Sequence, residues 1–349
     1  MSPSRSVAFE VLTRVESGGW ASDLLRQQSA RLDSRDAGLA SEIVFGCLRY
    51  QAQLDYLIDR HTGSRTLDRE VRIALRMGVY QLRHLDRVPA HAAVSESVEL
   101  VKRHGKRSAA GFANAILRRV DRSPIAWPDR ATELSLPPWL LERWDRQYDA
   151  ATVQSIAAAA LQLPEAAVAS TGRVQDIGSQ SIVPLLDIQP GMTFLDLCAA
   201  PGNKTAQAIE MGAHAVACDL HWQRLHDSGL ACPQVVLNGT RPLPFSRRFD
   251  RILVDAPCSG TGTLGRNPEI KWRLRPADLP DLHRRQVALL RSALESLAPG
   301  GTLVYSTCSL EDEENQQVIA AFPGDWRIHR RLPGVDPGDG FFAAVLPSN

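Results

Sequence analysis

The 349-residue chain has no apolar run near the ~18 residues that a membrane-crossing helix requires, so no membrane partner is expected. The opening Met1-Ser2-Pro3-Ser4-Arg5 leads into an amphipathic stretch rather than the apolar core of a signal peptide, which suggests a cytoplasmic protein. No C-x-x-C pair occurs among the six cysteines, Cys47, Cys198, Cys218, Cys232, Cys258 and Cys308. That argues against a zinc site or a redox dithiol. In a reducing compartment all six are free thiols, and most free cysteines are simply small core residues. A large net charge is also missing, the formal value being +1. The composition, 44% hydrophobic and 23% charged, is that of a globular protein with a core of ordinary size, and the length suits two domains or one large one.

The small net charge hides an asymmetry. Residues 1–130 hold 21 Lys and Arg against 15 Asp and Glu, a net of +6, whereas residues 131–349 hold 19 against 24, a net of −5. A basic half beside an acidic half points to a polyanionic partner for the first, although charge of this size also serves solubility.

The two halves differ in texture as well. Val7, Val11, Leu12 and Val15 recur at helical spacing up to Gly18-Gly19. Val71, Leu75, Val79 and Leu82 mark a second helix, and Val94, Val98 and Val101 a third that stops near His104-Gly105. Ala110, Phe112, Ile116 and Leu117 mark a fourth. Two-residue alternation is absent here, so residues 1–125 read as an all-α helical bundle. The run Lys102-Arg103-His104-Gly105-Lys106-Arg107 falls at a helix junction, where it either meets phosphates or forms a solvated turn. Residues 126–173 read as a linker and shortened connecting region, rich in Pro and Trp at its start. From 174 to 349 short Val/Ile/Leu runs alternate with helical segments: 193–197, 215–219, 235–237, 251–255 and 302–306. This predicts an α/β Rossmann-like domain on a parallel sheet. Ligands bind such sheets outside the carboxyl ends of the strands, where Asp196, Asp219, Asp255 and Thr307-Cys308 all fall.

The first strand runs into Cys198-Ala199-Ala200-Pro201-Gly202-Asn203-Lys204-Thr205. Small residues let a ligand approach the backbone, and the helix that follows presents a positive N-terminus. The loop lacks G-x-G-x-x-G, which disfavours a dinucleotide site and a nicotinamide dehydrogenase. Asp219, about 20 residues on at the end of the second strand, stands where an acid usually holds ribose hydroxyls; a cofactor with a ribose is implied. The fourth strand gives Asp255-Ala256-Pro257-Cys258-Ser259-Gly260-Thr261-Gly262 and the fifth Ser306-Thr307-Cys308-Ser309. Two cysteines thus end neighbouring strands on polar turns, whereas Cys218 lies inside its strand and Cys47 inside a helix, as structural thiols do.

These segments, with Asn267-Pro268-Glu269-Ile270-Lys271-Trp272, Val174-Gln175-Asp176-Ile177-Gly178-Ser179-Gln180, Val88-Pro89-Ala90-His91-Ala92-Ala93-Val94-Ser95-Glu96, Gly111–Arg119 and Asp339-Gly340-Phe341-Phe342, resemble the RNA 5-methylcytosine methyltransferases. Nearly the whole chain resembles their bacterial RsmB branch, which joins a NusB-like helical RNA-binding domain to a Rossmann-like class I methyltransferase domain. The resemblance implies S-adenosyl-L-methionine as cofactor, held by residues 198–204 together with Asp219, Asn238 and Asp255, and RNA as partner, namely 16S rRNA free or early in assembly. It implies no DNA substrate. Cys308 is then the nucleophile that adds to C6 of cytosine so that C5 becomes able to attack a methyl group; Cys258 assists release, Asp255 bonds the ring edge and Lys204 lies near the same site. The target base must be unpaired or flipped. DNA cytosine methyltransferases use a Pro-Cys nucleophile, which would promote Cys258 instead. A monomer is the default expectation.

Four departures accompany the resemblance. Asn203 stands where the cofactor loop usually has a second Gly, and if that position needs φ > 0, Asn is the least costly replacement. Asn238 replaces an Asp expected near the adenine. The segment between Asp219 and Val235 is short, and residues 146–174 are too few for the small RNA-binding subdomain usual there. The alternative readings are therefore a NusB-like RNA-binding protein with a degenerate catalytic half, or the same chemistry on another RNA such as tRNA.

Overall fold

The computed structural model describes residues 1–63, 66–165, 167–168 and 172–347. Contacts divide the chain into two units, one of residues 1–162 and 264–273, the other of residues 163–263 and 274–349.

The first unit is helical: α1 (Pro3–Glu16), α2 (Ala21–Ser29), α3 (Ser34–Arg49), α4 (Gln51–Thr62), α5 (Arg69–His84), α6 (Ala90–Arg103), α7 (Ala110–Leu117), α8 (Arg130–Glu133), α9 (Pro138–Gln147) and α10 (Ala150–Ala159). The four helices read from apolar spacing are α1, α5, α6 and α7, and their apolar stripes enter one core with Ile43, Val44, Leu54 and Ile58 of α3 and α4. Helix starts follow local chemistry. Asp33 accepts from the N–H of Asp36 at 2.8 Å, and Asp149 from those of Ala151 and Thr152 at 3.0 Å each. Within the stretch read as a connector, α8, α9 and α10 are helical: Pro138 opens α9 at a position where its missing N–H costs nothing. In the basic run, Arg103 pairs with Glu99 and Lys106 with Asp68, each at 3.0 Å, so half of its cations are already compensated.

A late piece of chain completes this unit. Helix α14 (Ile270–Arg273) lies in the Asn267–Trp272 motif and packs among the helices. Lys271 Nζ donates to the carbonyl of Arg49, and Trp272 Nε1 to that of Leu48, both at 2.7 Å. These carbonyls belong to the last turn of α3, where no helical partner exists. Arg273 donates to Gly18 O at 2.8 Å, and its guanidinium lies 4.1 Å from the centroid of the Trp20 ring. Glu269 Oε1 accepts from the N–H of Ala21, the first residue of α2, at 3.1 Å. Donors thus meet the carbonyls at helix C-termini, and the carboxylate meets the N–H groups at an N-terminus.

Lys271 is fully buried, and burial, then the Arg49 guanidinium, push its ammonium down to about 7. Between pH 7 and 9 the unfolded chain holds a proton on this amine that the folded chain has released. For this group stability therefore rises with pH, by at most about 1.4 kcal/mol per unit. Lys271→Met removes the dependence. The thermal midpoint of the wild type relative to Lys271→Met is expected to rise from pH 7 to pH 9; a constant difference would mean that the buried amine keeps its proton.

The second unit begins with α11 (Ile177–Gln180) and then builds a sheet from β1 (Thr193–Asp196), β2 (His214–Asp219), β3 (Gln234–Val236), β4 (Phe249–Asp255), β5 (Leu297–Thr307), β6 (Arg327–Arg331) and β7 (Phe341–Leu346). Between them lie α12 (Asn203–Glu210), α13 (Trp222–His226), α15 (Leu279–Glu295) and α16 (Gln316–Ile319). The strand order is β3-β2-β1-β4-β5-β7-β6. The first five run parallel, and β7 enters antiparallel between β5 and β6. Ile252, Val254, Leu303, Tyr305 and Phe342 face one core with α15; Phe194, Leu253, Val304, Ala343 and Val345 face the other with α12. Burial on both faces explains why these strands read as unbroken apolar runs. No apolar run marks β6, because this edge strand, Arg-Ile-His-Arg-Arg, is exposed along most of its length and charged as edge strands tend to be. Among the described residues no helix is long and apolar enough to cross a membrane.

Candidate active site

The chain order reverses between β1 and β4, which are neighbours in the sheet, and crevices for ligands form at such points. Asp196 ends β1 and is buried; burial pushes its carboxyl up to about 7, although the Thr205 hydroxyl donates to it at 2.6 Å. The turn Cys198-Ala199-Ala200-Pro201 follows, and Gly202 takes φ +106 immediately before α12. A Cβ there would lie 2.8 Å from Cβ of Ser228, so both backbone and space require glycine. Asn203 opens α12 and is not among the residues with positive φ. The left-handed backbone considered for it belongs to Gly202, and Asn at 203 costs no backbone strain.

Asp219, at the end of β2, accepts from the N–H of Ala200 at 3.1 Å and from that of His221 at 2.9 Å, so this acid props the loop that follows β1. Asn238 is exposed, and its Oδ1 accepts from the N–H and hydroxyl of Thr240 at 3.1 and 2.8 Å. The donor set suits S-adenosylmethionine chemically. Small side chains line the turn, Gly202 leaves the backbone bare, and acids end β1, β2 and β4 near a cationic ligand's expected place.

Asp255 ends β4. Lys204 Nζ donates to its Oδ2 and the Ser306 hydroxyl to its Oδ1, each at 2.7 Å. Burial disfavours the Lys204 ammonium, but Asp255 against it, with Cys308 and Asp196 near, holds its pKa above the usual lysine range. The ammonium also lies 5.2 Å from the centroid of the Phe341 ring. Next to this pair the Cys258 and Cys308 sulfurs are 3.4 Å apart. The hydrogen bond with Cys308 raises the Cys258 thiol well above its ordinary pKa, with burial and nearby negative charge adding to it. The structure therefore brings Lys204, Asp255, Cys258 and Cys308 together, and Asp219 supports the turn that follows β1. Asn238 is exposed in the segment that follows β3. Cys47, Cys198 and Cys218 are raised chiefly by burial, Cys218 to about 12, which leaves them unreactive.

Two further segments hold this end of the sheet. The Val174–Gln180 motif docks on the last strand: Asp176 accepts from the N–H of Asp339 at 3.0 Å, and the Gln180 carbonyl accepts from Gln207 of α12 at 2.9 Å. The Cys258 turn reaches across to β5 and β7, where the Gly262 N–H donates to Cys308 O and the Gly340 N–H to Gly262 O, both at 2.8 Å. A cleft of about 580 Å³ at the amino ends of β1, β2 and β4, lined by Thr193, His214 and Phe249, lies at the opposite end of the strands from the thiols.

The family model described as 16S rRNA methyltransferase RsmB/F matches residues 183–325, and the NusB family model matches residues 2–122. Ribosomal RNA small subunit methyltransferase B of Klebsiella pneumoniae subsp. pneumoniae is 32% identical over 98% of this chain and 97% of its own. The protein of the same name from Shigella sonnei is 32% identical over 98% of each. The chain belongs to the ribosomal RNA small subunit methyltransferase B family. It is an RNA methyltransferase. The crystal structure of PH0851 shares its fold, with a TM-score of 0.80 over 100% of this chain and 99% of that one at 21% identity. The Klebsiella alignment runs over 423 positions although this chain has 349 residues, so at least 74 positions have no residue here.

Ser306 and Glu314 are the site residues that sequence reading did not assign. Ser306 lies inside a quoted motif, but nothing before the fold says that its hydroxyl faces Asp255. Glu314 sits in the acidic run Glu311-Asp312-Glu313-Glu314, which resembles a solvated turn.

Proposed function

We propose that this enzyme transfers a methyl group from S-adenosyl-L-methionine to C5 of a cytosine in 16S rRNA, with Cys308 as nucleophile. The observation that carries the reading is the pair of thiols in contact at the carboxyl ends of β4 and β5, beside the Lys204–Asp255 ion pair. The Cys308 thiolate adds to C6 of an unpaired or flipped cytosine, forming a C–S bond and moving charge towards N3. Asp255 hydrogen-bonds the ring edge, and the Lys204 ammonium supplies positive potential where charge develops. When bound, S-adenosylmethionine supplies the electrophilic methyl group. Once C5 has been methylated, its proton is lost to solvent, the electrons of the C5–H bond re-form the C5–C6 double bond, and the Cys308 sulfur departs as the thiolate. Cys258 assists this release.

Assigning the nucleophile to Cys258 instead, as a Pro-Cys motif allows, conflicts with its environment: a thiol held protonated beside Cys308 suits proton transfer better than attack. A degenerate, RNA-binding-only protein is disfavoured because Asn203 strains nothing and the four reactive groups converge. The reading takes the enzyme as a cytoplasmic monomer acting on 16S rRNA free or early in assembly.

The test is transfer of labelled methyl from S-adenosylmethionine to protein-free small-subunit rRNA, with the labelled base identified after digestion. Label in 5-methylcytosine at one position is expected. Label in another base would overturn the chemistry, and no label on either free RNA or assembly intermediates would leave an RNA-binding protein.

A further inference from the structure

The contact between the two thiols depends on a residue outside the reacting groups. Glu314 is fully buried, which is rare for a carboxylate unless it is well partnered. Its Oε1 accepts from the Ser259 N–H at 2.8 Å and from Gln286 Nε2 at 2.9 Å. Its Oε2 accepts from the Ser309 hydroxyl at 2.5 Å and also from the Ser259 hydroxyl. Ser259 directly follows Cys258, and Ser309 directly follows Cys308. One carboxylate therefore ties together the residues next to both cysteines, which are 50 positions apart in the chain. The carboxylate is itself anchored: the Tyr305 hydroxyl donates to the Glu314 carbonyl at 2.6 Å, and Gln286 of α15 also donates to Pro257 O at 2.9 Å.

We propose that Glu314 is a positioning residue for methyl transfer, whose carboxylate sets the Cys258 sulfur against that of Cys308 and directs negative charge to Cys308. The proposal rests on the reading of the two thiols given above. Two sulfurs 3.4 Å apart cannot both ionise cheaply, so the surrounding charges decide which one does. Cys258 faces Cys308, Glu314, Asp255 and Tyr305, none of them cationic. The Lys204 ammonium, paired with Asp255, feels the charge of Cys308. The anion of Glu314 thus weighs on Cys258 and the cation of Lys204 favours Cys308, so attack and proton transfer fall to different sulfurs. A residue with a purely structural role would not discriminate between the thiols in this way.

The experiment is site-resolved alkylation of the full chain by iodoacetamide across a pH series, read by mass spectrometry, beside steady-state transfer kinetics. In the wild type Cys308 is expected to alkylate at lower pH than Cys258. In Glu314→Gln, nearly the same size but uncharged, the Cys258 profile is expected to move down by about one pH unit, so its alkylation rate at a fixed pH rises about tenfold. kcat falls about 10²-fold from misplacement of the thiols while KM for the methyl donor holds. An unchanged Cys258 profile in folded Glu314→Gln overturns the charge assignment. Ser309→Ala keeps the carboxylate and removes one hydroxyl. It is expected to lower kcat about tenfold without moving the Cys258 profile down; an unchanged kcat overturns the positioning role even if Glu314→Gln does not fold. Alkylation needs no turnover, so the Glu314 result is independent of whether Cys308 proves to be the nucleophile in transfer assays.

Discussion

Cys308→Ala is expected to lower methyl transfer by at least about 10⁴-fold while donor affinity stays within a few-fold of wild type. Without the Cys308 sulfur at C6, C5 of cytosine remains a poor nucleophile. Donor affinity is spared because the turn that follows β1 is propped by Asp219 and closed by Gly202, neither of which touches Cys308 in any hydrogen bond of the site. Cys258→Ala should fail differently. Attack proceeds but release is impaired, so a protein–RNA adduct that survives denaturation should accumulate and migrate as one band. Its mass after nuclease digestion locates the bond. An adduct on the peptide carrying Cys258 in the wild type, or unchanged turnover in Cys308→Ala, would move the nucleophile to the other thiol. Isothermal titration with the donor, run beside the transfer assay, separates loss of chemistry from loss of binding.

Elements with a regular apolar period were legible before folding. Helices α1, α5, α6 and α7 and strands β1, β2, β4 and β5 announce themselves because each fills a core on one stripe or on both faces, while the half-exposed β3 shows only as the short run Val235-Val236-Leu237. Where burial is shared out less regularly the signal fades. Helix α9 begins at Pro138, and a proline-rich stretch reads as a connector although Pro is a favoured helix start. Strand β6 is an exposed edge rich in arginine, with no apolar run to find. At the site, the position of each thiol at a strand end was readable, as was the nearness of Lys204. Partnership was not: Ser306 with Asp255, Glu314 with both serines, and Lys271 with a carbonyl some 220 residues earlier are facts of tertiary packing. Asp219 shows the same limit, since its place at the end of β2 was clear but its bonds to the Ala200 and His221 amides were not.

Gly262→Ala should be the most damaging single methyl group that can be added near the site. A Cβ at this position would lie 2.6 Å from Gly340 O and 2.8 Å from Cys308 O. Both neighbours are backbone atoms, so neither can swing aside as the tip of a side chain would. Gly262 also gives its N–H to Cys308 O and takes the Gly340 N–H on its own carbonyl, so three segments, from β4, β5 and β7, meet at one residue. Alanine must push the Cys308 backbone away, and the sulfur moves with it relative to Cys258 and Asp255. A displacement near 1 Å costs about 10²-fold in kcat, and overpacking of this kind costs about 1–3 kcal/mol of stability. Gly111→Ala is the matched control: it lies in α7 with open space around its Cβ and no positive φ, so a gain of about 0.5–1 kcal/mol and unchanged kcat are expected. Thermal midpoints and kcat for both variants decide the matter. If Gly262→Ala loses stability but keeps kcat, the strain is absorbed by the Gly340 segment and the Cys308 backbone holds its place. If kcat falls with the thermal midpoint barely lowered, the close approach of Gly262 exists to locate the nucleophile, and the missing side chain at that position is part of the catalytic geometry.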